Sequence, residues 1–139
     1  MSEMIKNDAA MSPWPKDIFA ITLFVEDLED VKQYYSKVFG LPVVFEDPAS
    51  AIFKFGSTMI NLLKTTAVNV LIEPAKMAGR DAGHRFVFTI LVEDVDAMCA
   101  QLTTHGVQLL NGPMDRPWGM RTASFVDAGG YIWEIAKQI

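Results

Sequence analysis

Glu134 stands alone as a carboxylate in Tyr131–Ala136, an otherwise apolar run. In an extended strand, alternation sets Trp133 and Ile135 on one face and Ile132 and Glu134 on the other. A carboxylate so placed is suited to proton transfer or to gripping a ligand, or it is a core acid paired with a nearby base. Arg121, in the run Pro117-Trp118-Gly119-Met120-Arg121, is the candidate for that base. It is equally able to bind a ligand carboxylate or phosphate, or to sit on the surface of an edge strand. Trp118 offers an indole to a planar or cationic ligand, or anchors its own loop. His84 lies in a Gly-rich stretch, GRDAGHR, and His105 precedes Gly106. The first reads as a loop residue and the second as a cation complementing a helix end. Cys99 falls on the apolar side of a helical pattern, which favours packing over nucleophilic work. No phosphate-binding glycine loop, paired-histidine zinc helix or Gly-x-Ser-x-Gly elbow occurs.

The elements that must position these residues come as a repeat. Ile18–Asp27 (IFAITLFVED) and Arg85–Asp94 (RFVFTILVED) align at an offset of 67 residues. Both are rich in β-branched and aromatic residues, as strands require. Each is followed by apolar residues at helical spacing: Val31, Tyr34, Tyr35 and Val38, then Val95, Met98, Cys99 and Leu102. Asp27 and Asp94 are expected N-caps, and Gly40 and Gly106 expected helix-ending residues. Three shorter strand patterns follow each helix, with turns at Gly56–Ser57 and Ala128–Gly130. This predicts an α+β fold of two tandem βαβββ modules, its curved mixed sheet wrapped around a cavity. Module one spans residues 18–64, a linker 65–84, and module two 85–139, after an arm at 1–17. The uniformly apolar strand faces are expected to meet the helices. The mixed faces, with Thr22, Thr89, Met59, Asn61 and Glu134, are expected to line a cavity between the modules.

Composition narrows the function. The chain has 139 residues, 50% of them hydrophobic, a net charge of −5 and one cysteine. A disulfide framework is thereby excluded, and an acidic surface argues against nucleic acid as a partner. No stretch is apolar enough to span a bilayer, and the opening residues lack the apolar core of a signal peptide. A soluble, cytoplasmic protein is expected, with no membrane partner.

Three segments, VEDLEDVKQYYSKVFGLPV, VEDVDAMCAQLTTHGVQL and GPMDRPWGMRTASFVDAGGYIWEI, together resemble the vicinal oxygen chelate superfamily. That superfamily includes glyoxalase I, extradiol dioxygenases and bleomycin-resistance proteins, and the likeness covers about 120 residues. It departs at Asp127-Ala128-Gly129-Gly130, where relatives often carry Asp-Pro-Asp-Gly. The resemblance implies a divalent metal held by His or Glu from the first and fourth strands of each module. Carried over, those positions fall on Ala20, Asn61, Val87 and Glu134, only one of which is a strong donor. No metal and no cofactor are therefore expected. The resemblance is nearest in character to the metal-free bleomycin-resistance branch, whose members are acidic homodimers that sequester drugs.

The function these readings imply is sequestration of a small molecule, a drug or metabolite, by a homodimer. Glu134 is the tentative catalytic residue, and Trp118, Arg121, Asn61, Thr22, Thr89 and Met59 are the expected ligand contacts. The alternative is a lyase, isomerase or dioxygenase-type enzyme using Glu134 as acid or base, or an atypical divalent metal site.

Overall fold

The computed structural model describes residues 13–139, so most of the expected arm at 1–17 lies outside the described residues. The first strand, β1 (Ala20–Val25), leads into α1 (Leu28–Val38). The helix starts where Asp27 Oδ1 accepts from the Asp30 N–H at 3.0 Å, and ends before Gly40, whose φ of 67° suits a residue without a Cβ. Three strands follow: β2 (Val43–Asp47), β3 (Ser50–Phe55) and β4 (Thr58–Lys64). The second unit repeats this order as β5 (Phe88–Leu91), α3 (Val95–Thr104), β6 (Leu109–Asp115), β7 (Met120–Val126) and β8 (Ile132–Gln138). Asp94 caps α3 as Asp27 caps α1, through a 3.0 Å bond from the Ala97 N–H. Between the units lie a 3₁₀ turn (Thr65–Ala67) and a short helix α2 (Asn69–Ile72), elements that apolar periodicity does not announce. The fifth strand is also shorter than its sequence pattern, because pairing with β8 begins only at Phe88.

Each unit forms a four-stranded mixed sheet, ordered β1-β4-β3-β2 and β5-β8-β7-β6. In both, the first and fourth strands run parallel and the remaining pairs antiparallel. β1 and β5 are edge strands, each hydrogen-bonded to one neighbour.

The apolar faces of both sheets and both helices enter one core, with Leu23, Val25, Val31, Tyr35, Phe53, Leu62, Phe125, Trp133 and Ile135 all buried. An aromatic layer crosses between the units. Phe39 lies 4.8 Å from the Trp133 ring, and Phe55 stacks on Trp133 at 5.2 Å. Rings at these separations add to burial by favourable quadrupole geometry. The helix-side faces of both sheets meet in this core, so the mixed faces are the ones turned away from it. A cavity of about 400 Å³ lies where β1, with Thr22, comes beside Phe86, Phe88 and Tyr131 of the second unit.

Candidate functional site

Register places the polar residues in rows. In the second unit Thr89 pairs with Glu134, Glu134 with Ser124, and Ser124 with Asn111. One polar side chain from every strand therefore stands in line on the outward face. Thr89 donates its hydroxyl to Glu134 Oε1 at 2.9 Å. The corresponding row in the first unit runs Thr22, Asn61, Ile52, Phe45. Asn61 Nδ2 lies 3.5 Å from Thr22 Oγ1, while Asn61 Oδ1 is buried without a partner among the described residues. Met59 is two positions from Asn61 on the same face, opposite Ala20. One face thus carries a carboxylate among neutral polar groups, and its counterpart carries Thr22, Asn61 and Lys54 among apolar residues.

The positions expected for metal donors shift accordingly. Counting back from Asp27 and Asp94 gives Ala20 and Val87, but the residues opposite Asn61 and Glu134 are Thr22 and Thr89. The paired set is two hydroxyls, an amide and one carboxylate, divided between the two sheets. Among the described residues, no three His, Cys, Asp or Glu come together as a metal group. These donors do not fit the His/Glu shell that the family metal requires.

Arg121 pairs with carboxylates other than Glu134. Its side chain points to the helix side of the second sheet, where Nε and Nη2 bond both oxygens of Asp96 at 2.9 Å. Nη1 bonds Asp115 at 2.9 Å. The guanidinium holds the Asp96 carboxyl below its usual range, chiefly by these hydrogen bonds. An arginine committed to two carboxylates on the far face is not the partner of Glu134.

The guanidinium on the polar face belongs instead to Arg116. Its Nε donates to Thr122 Oγ1 at 2.9 Å and its Nη2 to Asn111 Oδ1 at 3.1 Å. Thr122 lies two residues from Ser124 on β7, so Arg116 lies across the outward face of β6 and β7. A tight loop holds it there: the Arg116 N–H reaches Met120 O at 2.7 Å, and the Gly119 N–H reaches Arg116 O at 3.1 Å. The exposed Trp118 ring, at the tip of that loop, lies 5.6 Å from the Arg116 guanidinium carbon. Alternation missed Arg116 because it precedes the hairpin turn rather than sitting in a strand. The signal in the sequence was Arg-Pro-Trp-Gly itself, a hairpin loop with a cation at its first position.

Two other groups have structural work. Asp127 is 3% exposed and accepts four hydrogen bonds, from Tyr35 Oη (2.8 Å), Trp133 Nε1 (2.9 Å) and the N–H groups of Gly129 (2.8 Å) and Tyr131 (3.0 Å). His84 lines a cavity of about 260 Å³ beside the turn before β8. Arg80 lines it too and donates to Ala128 O at 3.0 Å. Burial pushes the Cys99 thiol up, which disfavours the thiolate a nucleophile needs.

The fold and these rows define a protein of paired βαβββ units, each with a four-stranded mixed sheet. The model of the Glyoxalase/Bleomycin resistance protein/Dioxygenase superfamily matches residues 17–135, and the chain belongs to that superfamily. A curated relative, the uncharacterized protein YraH of Bacillus subtilis (strain 168), is 32% identical over 126 residues, covering 88% of this chain and 98% of its own. Among solved structures, a glyoxalase/bleomycin resistance protein/dioxygenase from Nocardioides superimposes with a TM-score of 0.81 at 19% identity, covering 94% of this chain and 89% of that one. A lactoylglutathione lyase from Agrobacterium tumefaciens gives 0.72 at 23% identity, covering 91% and 96%. At these identities the two structures speak to the fold alone. No helix among the described residues is long and apolar enough to cross a membrane.

Proposed function

We propose that this chain binds a small molecule without a metal, and protects or withholds it by mass action, as a homodimer. The observation that carries this reading is Glu134, a carboxylate set by Thr89 in a four-strand polar row that faces away from the core. Ser124 of that row is buried, while Thr89 and Glu134 stay accessible and present an oriented carboxylate to a ligand. The unpartnered Asn61 Oδ1 on the other sheet is a second atom that a ligand donor would satisfy.

Thr22 and Phe24 share a shallow cavity with Phe86, Phe88 and Tyr131, and the reading adds a second copy to enclose the site beside it. β1 and β5 are edge strands, with Phe19 (75% exposed) before the one and Leu91 (74%) at the end of the other, and Tyr131 Oη donates to Phe24 O of β1 at 2.7 Å. Open edges with apolar neighbours are usually covered. A twofold axis setting β1 against β5 of the partner subunit would bring Thr22 and Asn61 opposite Thr89 and Glu134 of the partner subunit, twice per dimer.

The test is a thermal-shift screen of drugs and metabolites, with each hit recovered and analysed by mass spectrometry. A saturable ligand returned unchanged, its stabilisation lost in Glu134→Gln with the fold intact, is the expected result. Turnover of the hit, or chelator-sensitive activity with stoichiometric metal, would replace sequestration by catalysis.

A further inference from the structure

We propose that Arg116 is an anchor for a carboxylate on the ligand, with Trp118 as a wall beside it. Three observations carry this. First, both partners of the guanidinium are neutral: Nε and one hydrogen of Nη2 go to Thr122 and Asn111. Those bonds use one edge of the planar group and fix its orientation, leaving the Nη1–Nη2 edge open. That edge is the fork that grips a carboxylate through two parallel bonds.

Second, the carboxylates that would neutralise it are engaged elsewhere. Asp115, its neighbour in sequence, is turned to Arg121 on the other side of the sheet at 2.9 Å, and Asp96 is bound to the same Arg121. Among the described residues no carboxylate pairs with Arg116. Among the same residues Lys54, Lys64 and Arg85 are in no ion pair either, but Arg116 differs in being held in place by two neutral side chains on the polar face.

Third, the loop fixes the Trp118 ring near one side of the guanidinium, at 5.6 Å. A planar group attached to a bound carboxylate would lie along that ring. Glu134 stands two strands from Asn111, about 10 Å away at the usual strand spacing. The ligand class is therefore a small planar carboxylate with a hydrogen-bond donor at its far end. The inference rests on the reading above only for the position of that far end.

The experiment uses the full-length, ¹⁵N-labelled protein and three probes of one shape: benzoate, neutral benzamide and cationic benzylammonium. Benzoate is expected to move the Arg116 Nε–H and Trp118 indole signals saturably, and the other two are not. Arg116→Gln should weaken benzoate at least tenfold. Arg116→Lys should recover part of the loss, since it keeps charge but not the fork. Arg121→Gln should bind like the parent. Added salt should weaken benzoate, as expected for a half-exposed ion pair. Unchanged benzoate affinity in Arg116→Gln, equal binding of benzamide, or no saturable benzoate shift would each overturn the anchor. Failure of the sequestration reading looks different: Glu134→Gln would leave screened ligands unaffected while benzoate still titrates Arg116.

Discussion

The Tyr35 hydroxyl donates to Asp127 Oδ2 at 2.8 Å, joining the first helix to the turn before the last strand across 92 residues of sequence. The same carboxylate also receives the Trp133 indole N–H and two backbone N–H groups. It is the polar centre of the seam between the two units, and no cation is among its donors.

Removing that carboxylate should be the most damaging single change outside the apolar core. Asp127→Ala leaves four donors without an acceptor, and each buried unsatisfied group costs about 1–3 kcal/mol before relaxation. A loss of about 3–5 kcal/mol is expected in urea denaturation, against about 1–2 kcal/mol for Tyr35→Phe. Equal small losses from both would show that the turn holds without the hub.

Alkaline pH should loosen the same seam. Burial first, and the Asp127 charge second, raise both the Tyr34 and Tyr35 hydroxyls above the ordinary 10.0. The unfolded chain then loses phenolic protons that the folded chain keeps. This contribution is full below the ordinary phenol value and is lost as pH climbs above it toward the raised folded values. Urea midpoints should fall through that range, and the fall should be shallower in a Tyr34→Phe, Tyr35→Phe double variant. An identical slope would assign the alkaline loss to other groups.

Gly112 should tolerate no side chain. Its φ is +82°, and a Cβ there would lie 2.5 Å from Thr122 O and 2.8 Å from Ala123 Cα. Backbone atoms cannot rotate away, so β6 would have to leave β7. Gly112→Ala should cost more than the roughly 1–2 kcal/mol of a left-handed alanine. It should also disturb the Arg116 contacts to Asn111 and Thr122, seen as shifted Arg116 Nε–H resonances. A parent-like melting temperature would contradict this.

Association should depend on the open strand edges. Phe19→Glu places a charge on a 75% exposed position beside β1. Light scattering after size exclusion should show a dimer for the parent chain and a shift toward monomer for the variant. A monomeric parent at micromolar concentration would remove the composite cup from the reading.

Much of the fold was legible because its signals are local. Asp27 and Asp94 cap helices through bonds only three residues long, and strand alternation in β1 and β8 separated Leu23, Val25, Trp133 and Ile135 from Thr22 and Glu134. The repeat itself announced that whatever the first unit did, the second would do again. Pairing then aligned Thr22 with Asn61 and Thr89 with Glu134, a register that counting from the helix caps missed by two residues.

What the chain alone settled, then, was two βαβββ units with one polar-dotted face on each sheet, because caps and alternation are dictated by neighbours in sequence. Tertiary structure decided which way those faces look and which arginine shares them. The register between β6 and β7 shifts twice, between Leu109 and Asn111 and again between Asn111 and Met114, so parity cannot be carried across that hairpin. Arg121, in step with Ala123 and Phe125 along β7, meets the helix, and Arg116, at the end of the shifted β6, meets the polar face. The aromatic layer joining Phe39, Phe55 and Trp133 set the helix-side faces of the two units against each other, since rings from distant segments bury apolar surface by packing together.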